Sequence, residues 1–157
     1  MFRYVKFSEL CGKIFSSVQV NDDEIIFTTN TNEIFKMYHN QDCCEHVYIE
    51  SVVGDVNDLI DAPILVAEES TNSNNQMDGQ DHESFTWTFY KLATVKGYVD
   101  IRWYGSSNGW YSESVSLENI TNIQCLPTEI NELISVQPLE SPSGITFKLK
   151  LPRMPDE

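Results

Sequence analysis

Between Phe85 and Leu117 the chain alternates apolar and polar residues in three consecutive short runs, and a period of two is the period of a β-strand. In the first run Phe85, Trp87 and Phe89 share one face, while Thr86, Thr88 and Tyr90 take the other. Lys96-Gly97 turns the chain. In the second run Val99, Ile101 and Trp103 form an apolar face opposite Asp100 and Arg102. Gly105-Ser106-Ser107-Asn108-Gly109 makes a glycine-bounded turn, and residues 110–117 return as a third strand. Three strands joined by short turns pair antiparallel, and this fixes the fold class for the rest of the chain.

The flanking sequence extends the same pattern. Ser8 caps a short helical turn that Gly12 ends. A strand over 14–20 follows, with Ile14, Val18 and Val20 on one side. Turns at 21–23 and 30–32 separate strands over 24–29 and 34–39. After the polar stretch 40–45 another strand runs over 47–53, Gly54 breaks it, and Asp55 caps a helical turn reaching Ile60. Pro63 ends that turn and 64–67 is strand again. Residues 70–83 have almost nothing to bury and read as a mobile loop. In the tail, 128–134 reads as a helix, and Ile145, Phe147, Leu149 and Leu151 alternate as a half-buried strand. The expectation is an α+β fold, mainly antiparallel β (a meander or partly open barrel) with two or three short helices. One domain spans 1–157, and its 119–157 portion is a helix-plus-strand extension.

Charge narrows the function. The 157 residues carry 24 Asp plus Glu against 10 Lys plus Arg, a net −14, which repels a phosphate backbone and disfavours direct nucleic-acid binding. It attracts a basic protein surface, or lets carboxylates mimic phosphates and block a nucleic-acid-binding protein. No run approaches the roughly 20 apolar residues of a membrane helix, and the N-terminus lacks a signal-peptide apolar region, so a cytoplasmic location is expected. Cys11, Cys43, Cys44 and Cys125 then stay reduced and act as small hydrophobes. Asn119-Ile120-Thr121 matches the glycosylation pattern by chance in that setting.

Few residues suggest chemistry. His39 and His46 flank Asp42-Cys43-Cys44-Glu45, so a Cys/His pair or a His/Asp/Glu metal set is conceivable, but no motif orients them. The glycine-bounded turn lacks the lysine and helix of a phosphate-binding loop. A binding reading fits better, because Trp, Tyr and Arg are the residue types enriched at binding hot spots. The candidate binding residues are Asp42, Glu45, Arg102, Trp103, Tyr104, Ser107, Asn108, Trp110 and Tyr111. The sequence leaves open whether Trp103 and Trp110 face core or solvent. No catalytic set, metal or cofactor is expected.

Several runs carry a resemblance. They are Tyr38-His39-Asn40-Gln41-Asp42-Cys43-Cys44-Glu45, Val47-Tyr48-Ile49-Glu50, Gly54-Asp55, Asp58-Leu59-Ile60 and Trp87-Thr88-Phe89-Tyr90-Lys91-Leu92-Ala93-Thr94. Gly97-Tyr98-Val99, Ile101-Arg102-Trp103-Tyr104-Gly105, Ser107-Asn108-Gly109 and Tyr111-Ser112 complete the set. Over residues 6–118 the chain resembles a domain-of-unknown-function family of small bacteriophage and bacterial proteins. The resemblance implies a phage or prophage accessory protein working in the bacterial cytoplasm. The leading expectation is a binding protein, not an enzyme, that inhibits or modulates a bacterial host protein with a basic surface, such as a defence component. The alternatives are a sponge that sequesters a nucleotide signal through Arg102 and the aromatics, or an acidic DNA mimic.

Overall fold

The computed structural model describes residues 3–75 and 84–121. All belong to the first of two compact units, Met1–Cys125 and Leu126–Glu157, and the description concerns that unit alone. The helix expected over 128–134 and the strand expected over 145–151 lie outside the described residues.

Nine strands form two antiparallel sheets. They are β1 (Arg3–Tyr4), β2 (Phe15–Val20), β3 (Glu24–Thr29), β4 (Ile34–Tyr38), β5 (Glu45–Val53), β6 (Val66–Asn75), β7 (Ser84–Ala93), β8 (Tyr98–Ser107) and β9 (Ser116–Asn119). The first sheet has the order β1-β9-β4-β3-β2 and the second β5-β8-β7-β6. Consecutive strands β2-β3-β4 and β6-β7-β8 are meanders, while the strand expected over 110–117 begins only at Ser116, as β9, and pairs in the first sheet and not with β8. The two inner faces share one core. The first sheet contributes Phe15, Ile25, Phe27, Phe35, Met37 and Leu117, and the second Val47, Tyr90, Leu92, Val99, Ile101 and Trp103.

Among the described residues the fold is therefore a two-layer β structure without an α-helix, in place of the expected α+β, and the two sheets do not close into a barrel. The two expected helical turns are single 3-10 turns, Phe7–Leu10 and Val56–Leu59. Their length is too small to offset the nucleation cost of an α-helix. At the first, the Glu9 carboxylate accepts the Lys6 amide at 3.2 Å, so Lys6 and not Ser8 opens the turn. At the second, Asp55 caps as expected, its Oδ1 accepting the Asn57 amide at 2.9 Å. Gly54 before it has φ +110°, and a Cβ there would collide with the Tyr98 carbonyl, so only glycine fits.

Two bulges set which side chains face inward. The β2–β3 register shifts between Phe15 and Ser17, leaving Ser16 as the extra residue, its hydroxyl donating to the Thr28 and Thr29 carbonyls. The shift turns Phe15 into the core at full burial and leaves Ile14 half-buried, which corrects the expected Ile14–Val18–Val20 face. The β5–β8 register shifts between Ile49 and Ser51, so Glu50 is the extra residue there. Strand β6 also runs further than its composition indicates. Ser70–Asn75 pair with Ser84–Phe89, so the 70–75 portion of the expected loop is strand, and 76–83 lie outside the described residues.

Candidate functional site

The second sheet has two faces of different chemistry, and the nine candidate residues divide between them and one end of the sandwich. In β8 the burial alternates strictly, with Val99, Ile101, Trp103, Gly105 and Ser107 turned inward. Trp103 is 1% exposed and belongs to the core, which removes it as a direct contact for a partner. Arg102 and Tyr104 point outward on the same strand.

Their outward neighbours follow from the register. Tyr104 lies opposite Tyr48 of β5 and Trp87 of β7, and Trp87 lies opposite Asn72 of β6. The rings make a continuous row across the strands. Ring centroids are 4.8 Å apart for His46 and Tyr48, 5.8 Å for Tyr48 and Tyr104, and 4.6 Å for Tyr104 and Trp87. The rings are tilted by 35–62°, the edge-to-face range that aromatic quadrupoles favour. Arg102 lays its guanidinium over the Trp87 ring, 5.3 Å from the centroid, and pairs with the bulge residue Glu50. The bulge has a function in this geometry, since it brings a carboxylate beside Arg102 on the outer face. Phe89 and Tyr98 are exposed on the same face at 40% and 57%.

Two hollows flank the row. One of about 550 Å³ lies over Ser51, Val53, Glu68, Phe89, Lys91 and Arg102. Another of about 460 Å³ lies at the opposite end, bounded by Cys44, His46, Phe85, Tyr104, Ser106 and Asn108. Two ion pairs lie on this face, Arg102 with Glu50 and Lys91 with Asp100 at 3.8 Å, and Glu68, opposite Lys91 on β6, adds a further carboxylate.

The second hollow leads to the tip, where the 40–45 loop meets the β8–β9 connection. The Asn108 amide donates to the Cys44 carbonyl at 3.3 Å, and the Cys43 thiol donates to the Tyr111 hydroxyl at 3.2 Å. Asn108 Oδ1 accepts the Trp110 amide at 3.1 Å, and Gly109 between them has positive φ. The Trp110 side chain stands in solvent, 83% exposed. Asp42 is exposed in the same region. The tip thus gathers Asp42, Asn108, Trp110 and Tyr111.

The remaining candidates, Glu45 and Ser107, face inward and close the end of the sandwich. The Glu45 side chain is 2% exposed and accepts the amides of Asp42 and, at 3.3 Å, Cys44. His39 Nδ1 donates to the Ser114 carbonyl at 2.7 Å, and its Nε2 faces Glu45 at 3.5 Å. Burial pushes the Glu45 carboxyl up, but the two amides and the His39 imidazole outweigh it and hold it below its ordinary value. Ser107 donates to Ser84 at 3.0 Å and Ser84 donates to the buried Glu113, a relay that leaves the Ser107 oxygen to accept the Gly109 amide at 3.1 Å. Glu113 sits directly over Gly105. A Cβ at 105 would lie 2.8 Å from Glu113 Cβ, so the glycine admits the segment that shuts this end.

Among the described residues neither histidine is hydrogen-bonded to a thiol. Cys43 hydrogen bonding, then burial, pushes the Cys44 thiol up, and the Cys43 contact pushes the Tyr111 phenol up to about 12. A thiol held protonated is a poor nucleophile near neutral pH. Of His39, Asp42, Glu45 and His46, the fold joins the side chains of His39 and Glu45, while His46 stacks on Tyr48. No group of three or more metal-ligating side chains converges among the described residues. No helix there is long and apolar enough to cross a membrane.

Sequence reasoning missed His46, Tyr48, Glu50, Trp87 and Phe89 as members of the outer face. The signal was the phase of alternation in β7, where Trp87 and Phe89 are out of step with the buried Tyr90 and Leu92.

No curated protein and no solved structure matches the chain. The family model for a domain of unknown function, DUF7448, matches residues 8–117, which takes in β2 through β8 and the first half of β9. With its two sheets, aromatic row and tip almost entirely inside that match, the chain belongs to the DUF7448 family.

Proposed function

We propose that this chain is a binding protein that docks a bacterial host protein through the outer face of its second sheet and the adjoining tip. The observation that carries the reading is the row Tyr48–Tyr104–Trp87 capped by Arg102, set on the solvent side of a sheet whose core is already filled from the other side. Half-buried aromatics supply contact area with little rotamer entropy to lose, and aromatics and arginine are the residue types that dominate binding hot spots. Trp110 and Phe89 widen the same surface. The net charge of −14 steers basic partners toward the molecule, while the two ion pairs on the face itself leave its grip to the aromatics. In the phage or prophage setting that the resemblance implies, the partner is a host protein that the complex inhibits.

A nucleotide sponge draws less support. Its phosphate contact would be Arg102, whose charge is engaged by Glu50, and its stacking platform would be rings already packed against each other. A DNA mimic needs a carboxylate array, and the outer face carries as many cations as anions in its two ion pairs.

The test is affinity capture from bacterial lysate with the tagged chain and with Trp87→Ala/Tyr104→Ala, both checked for folding by circular dichroism. A photo-crosslinking residue at Phe89 reads contact directly. A protein that crosslinks from Phe89 and is lost with the double variant supports the proposal. Undiminished capture by the folded double variant refutes it.

A further inference from the structure

The two sheets have four edges, and the fold treats them differently. An unpaired edge exposes a row of N–H and C=O groups that another strand can join, so proteins shorten, bulge or charge their edges. Edge β1 is two residues long. Edge β2 has six residues and carries the bulge at Ser16. Edge β5 carries the bulge at Glu50. Edge β6 is neither short nor bulged, and its only charges are Glu68 and Glu69 in its first half. Its ten residues pair with β7 without a shift, from Val66↔Ala93 to Asn75↔Ser84, and it contains neither proline nor lysine. Among the described residues nothing pairs with its other side, and Glu68 through Ser73 are all exposed.

We infer that β6 is a self-association edge, and that two copies of this chain join β6 to β6 antiparallel. The argument for a second copy comes from the strand's own sequence, Glu68-Glu69-Ser70-Thr71-Asn72-Ser73-Asn74-Asn75. A foreign strand recognised by sheet addition is selected through pockets for its alternate side chains. The short polar side chains of Ser70, Thr71, Asn72 and Ser73 build no such pockets, but they are complementary to themselves. A two-fold axis perpendicular to the sheet at Thr71 sets Thr71 opposite its own copy and Ser70 opposite Asn72. The same axis sets Glu69 opposite Ser73 and Glu68 opposite position 74. Both carboxylates then face uncharged residues. A parallel arrangement in register stacks Glu68 on Glu68 and Glu69 on Glu69, where like charges directly opposite are destabilising. The charges therefore select the antiparallel arrangement.

The product is a continuous eight-stranded sheet. Because the axis is perpendicular to the sheet, both outer faces lie on the same side, and two aromatic rows are presented together. The inference uses a different surface from the proposed docking face and does not depend on it. Since each copy carries −14, the association strengthens as salt screens the repulsion.

Sedimentation velocity on the full chain, from low micromolar to submillimolar concentration at low and high salt, tests this. The expected result is a concentration-dependent monomer–dimer equilibrium that tightens with salt. Thr71→Lys, which sets two ammonium groups face to face, weakens it about two- to fivefold. Ser73→Lys, which sets a lysine opposite Glu69 twice per dimer, tightens it about two- to thirtyfold. Thermal melts at a concentration where the wild type is monomeric confirm that both variants fold. A chain that stays monomeric throughout overturns the inference, as does a dimer indifferent to both lysines.

Discussion

Two tryptophans separated by one cross-strand step should respond to truncation in opposite ways. Trp103 is 1% exposed and sits among Val47, Ile101 and the other core residues, while Trp87 lies on the outer face against Tyr104 and Arg102. Trp103→Ala removes the largest fully buried side chain and leaves a cavity between two sheets that cannot collapse far, a loss of about 3–5 kcal/mol. Trp87→Ala forfeits one aromatic pair of about 0.5–1.5 kcal/mol and one exposed cation–π contact of about 0.5–1 kcal/mol, roughly 1–2.5 kcal/mol together. With a urea m-value of about 1.5 kcal/mol/M, the midpoints fall by about 2–3.3 M for Trp103→Ala and about 0.7–1.7 M for Trp87→Ala. Equilibrium urea unfolding followed by fluorescence reads both. A domain of ordinary stability, about 5–15 kcal/mol, survives the second change comfortably and the first only marginally. Partner capture should show the reverse order, with Trp87→Ala abolishing it in a folded protein. If Trp87→Ala costs as much stability as Trp103→Ala, the outer row is part of the scaffold and the functional argument built on it fails.

Three further outcomes follow from the closed end and the first sheet. Gly105→Ala drives a methyl against Glu113 and Val47 and should cost about 1–3 kcal/mol in urea unfolding; unchanged stability would mean the Glu113 segment does not rest on the sheet. Glu45 is ionised more readily in the folded than in the unfolded chain, so its contribution is complete above about pH 4.5 and is lost as pH falls through the lowered folded value. Glu45→Gln should flatten the acid limb of the stability curve, and an unaltered limb would refute the assignment. Tyr38 is pushed up to about 12, first by burial and then by the Glu118 carboxylate, so the protonated phenol is favoured in the folded chain. Its stabilisation is intact below pH 10 and declines as pH rises toward 12, and Tyr38→Phe should remove that decline in an alkaline titration.

The parts of the fold that sequence makes legible are those where burial is one-sided. Val99, Ile101 and Trp103 alternate with Asp100 and Arg102, and the structure keeps that phase without exception. Phase alone could not settle β2, because the extra residue at Ser16 moves Phe15 onto the core face that Ile14 would otherwise hold. Ser70–Asn75 gave no signal because its polar residues have no apolar period, with Ser70 through Ser73 exposed; its order comes from ladder hydrogen bonds to β7. The candidate site was half legible for the same reason. Alternation puts Trp103 with Val99 and Ile101 and sets Arg102 and Tyr104 on the other face, but which face is buried, and that Tyr48 and Trp87 join Tyr104, is known only from the register across β5, β8 and β7.

The order of the first sheet has a consequence for how the chain reaches this state. Strand β9, at residues 116–119, inserts between β4 and β1, pairing Phe35 with Asn119 on one side and Arg3 with Asn119 on the other. The only strand β1 pairs with among the described residues is thus more than a hundred residues away, and loop closure over that distance has to precede the contacts that reward it. On a ribosome, the hairpins β2-β3-β4 and β6-β7-β8 emerge with their turns complete, yet β4 keeps a bare edge until Ser116 has been made. Synthesis leaves an interval in which that edge is open to any passing strand, and β9 is the strand that covers it.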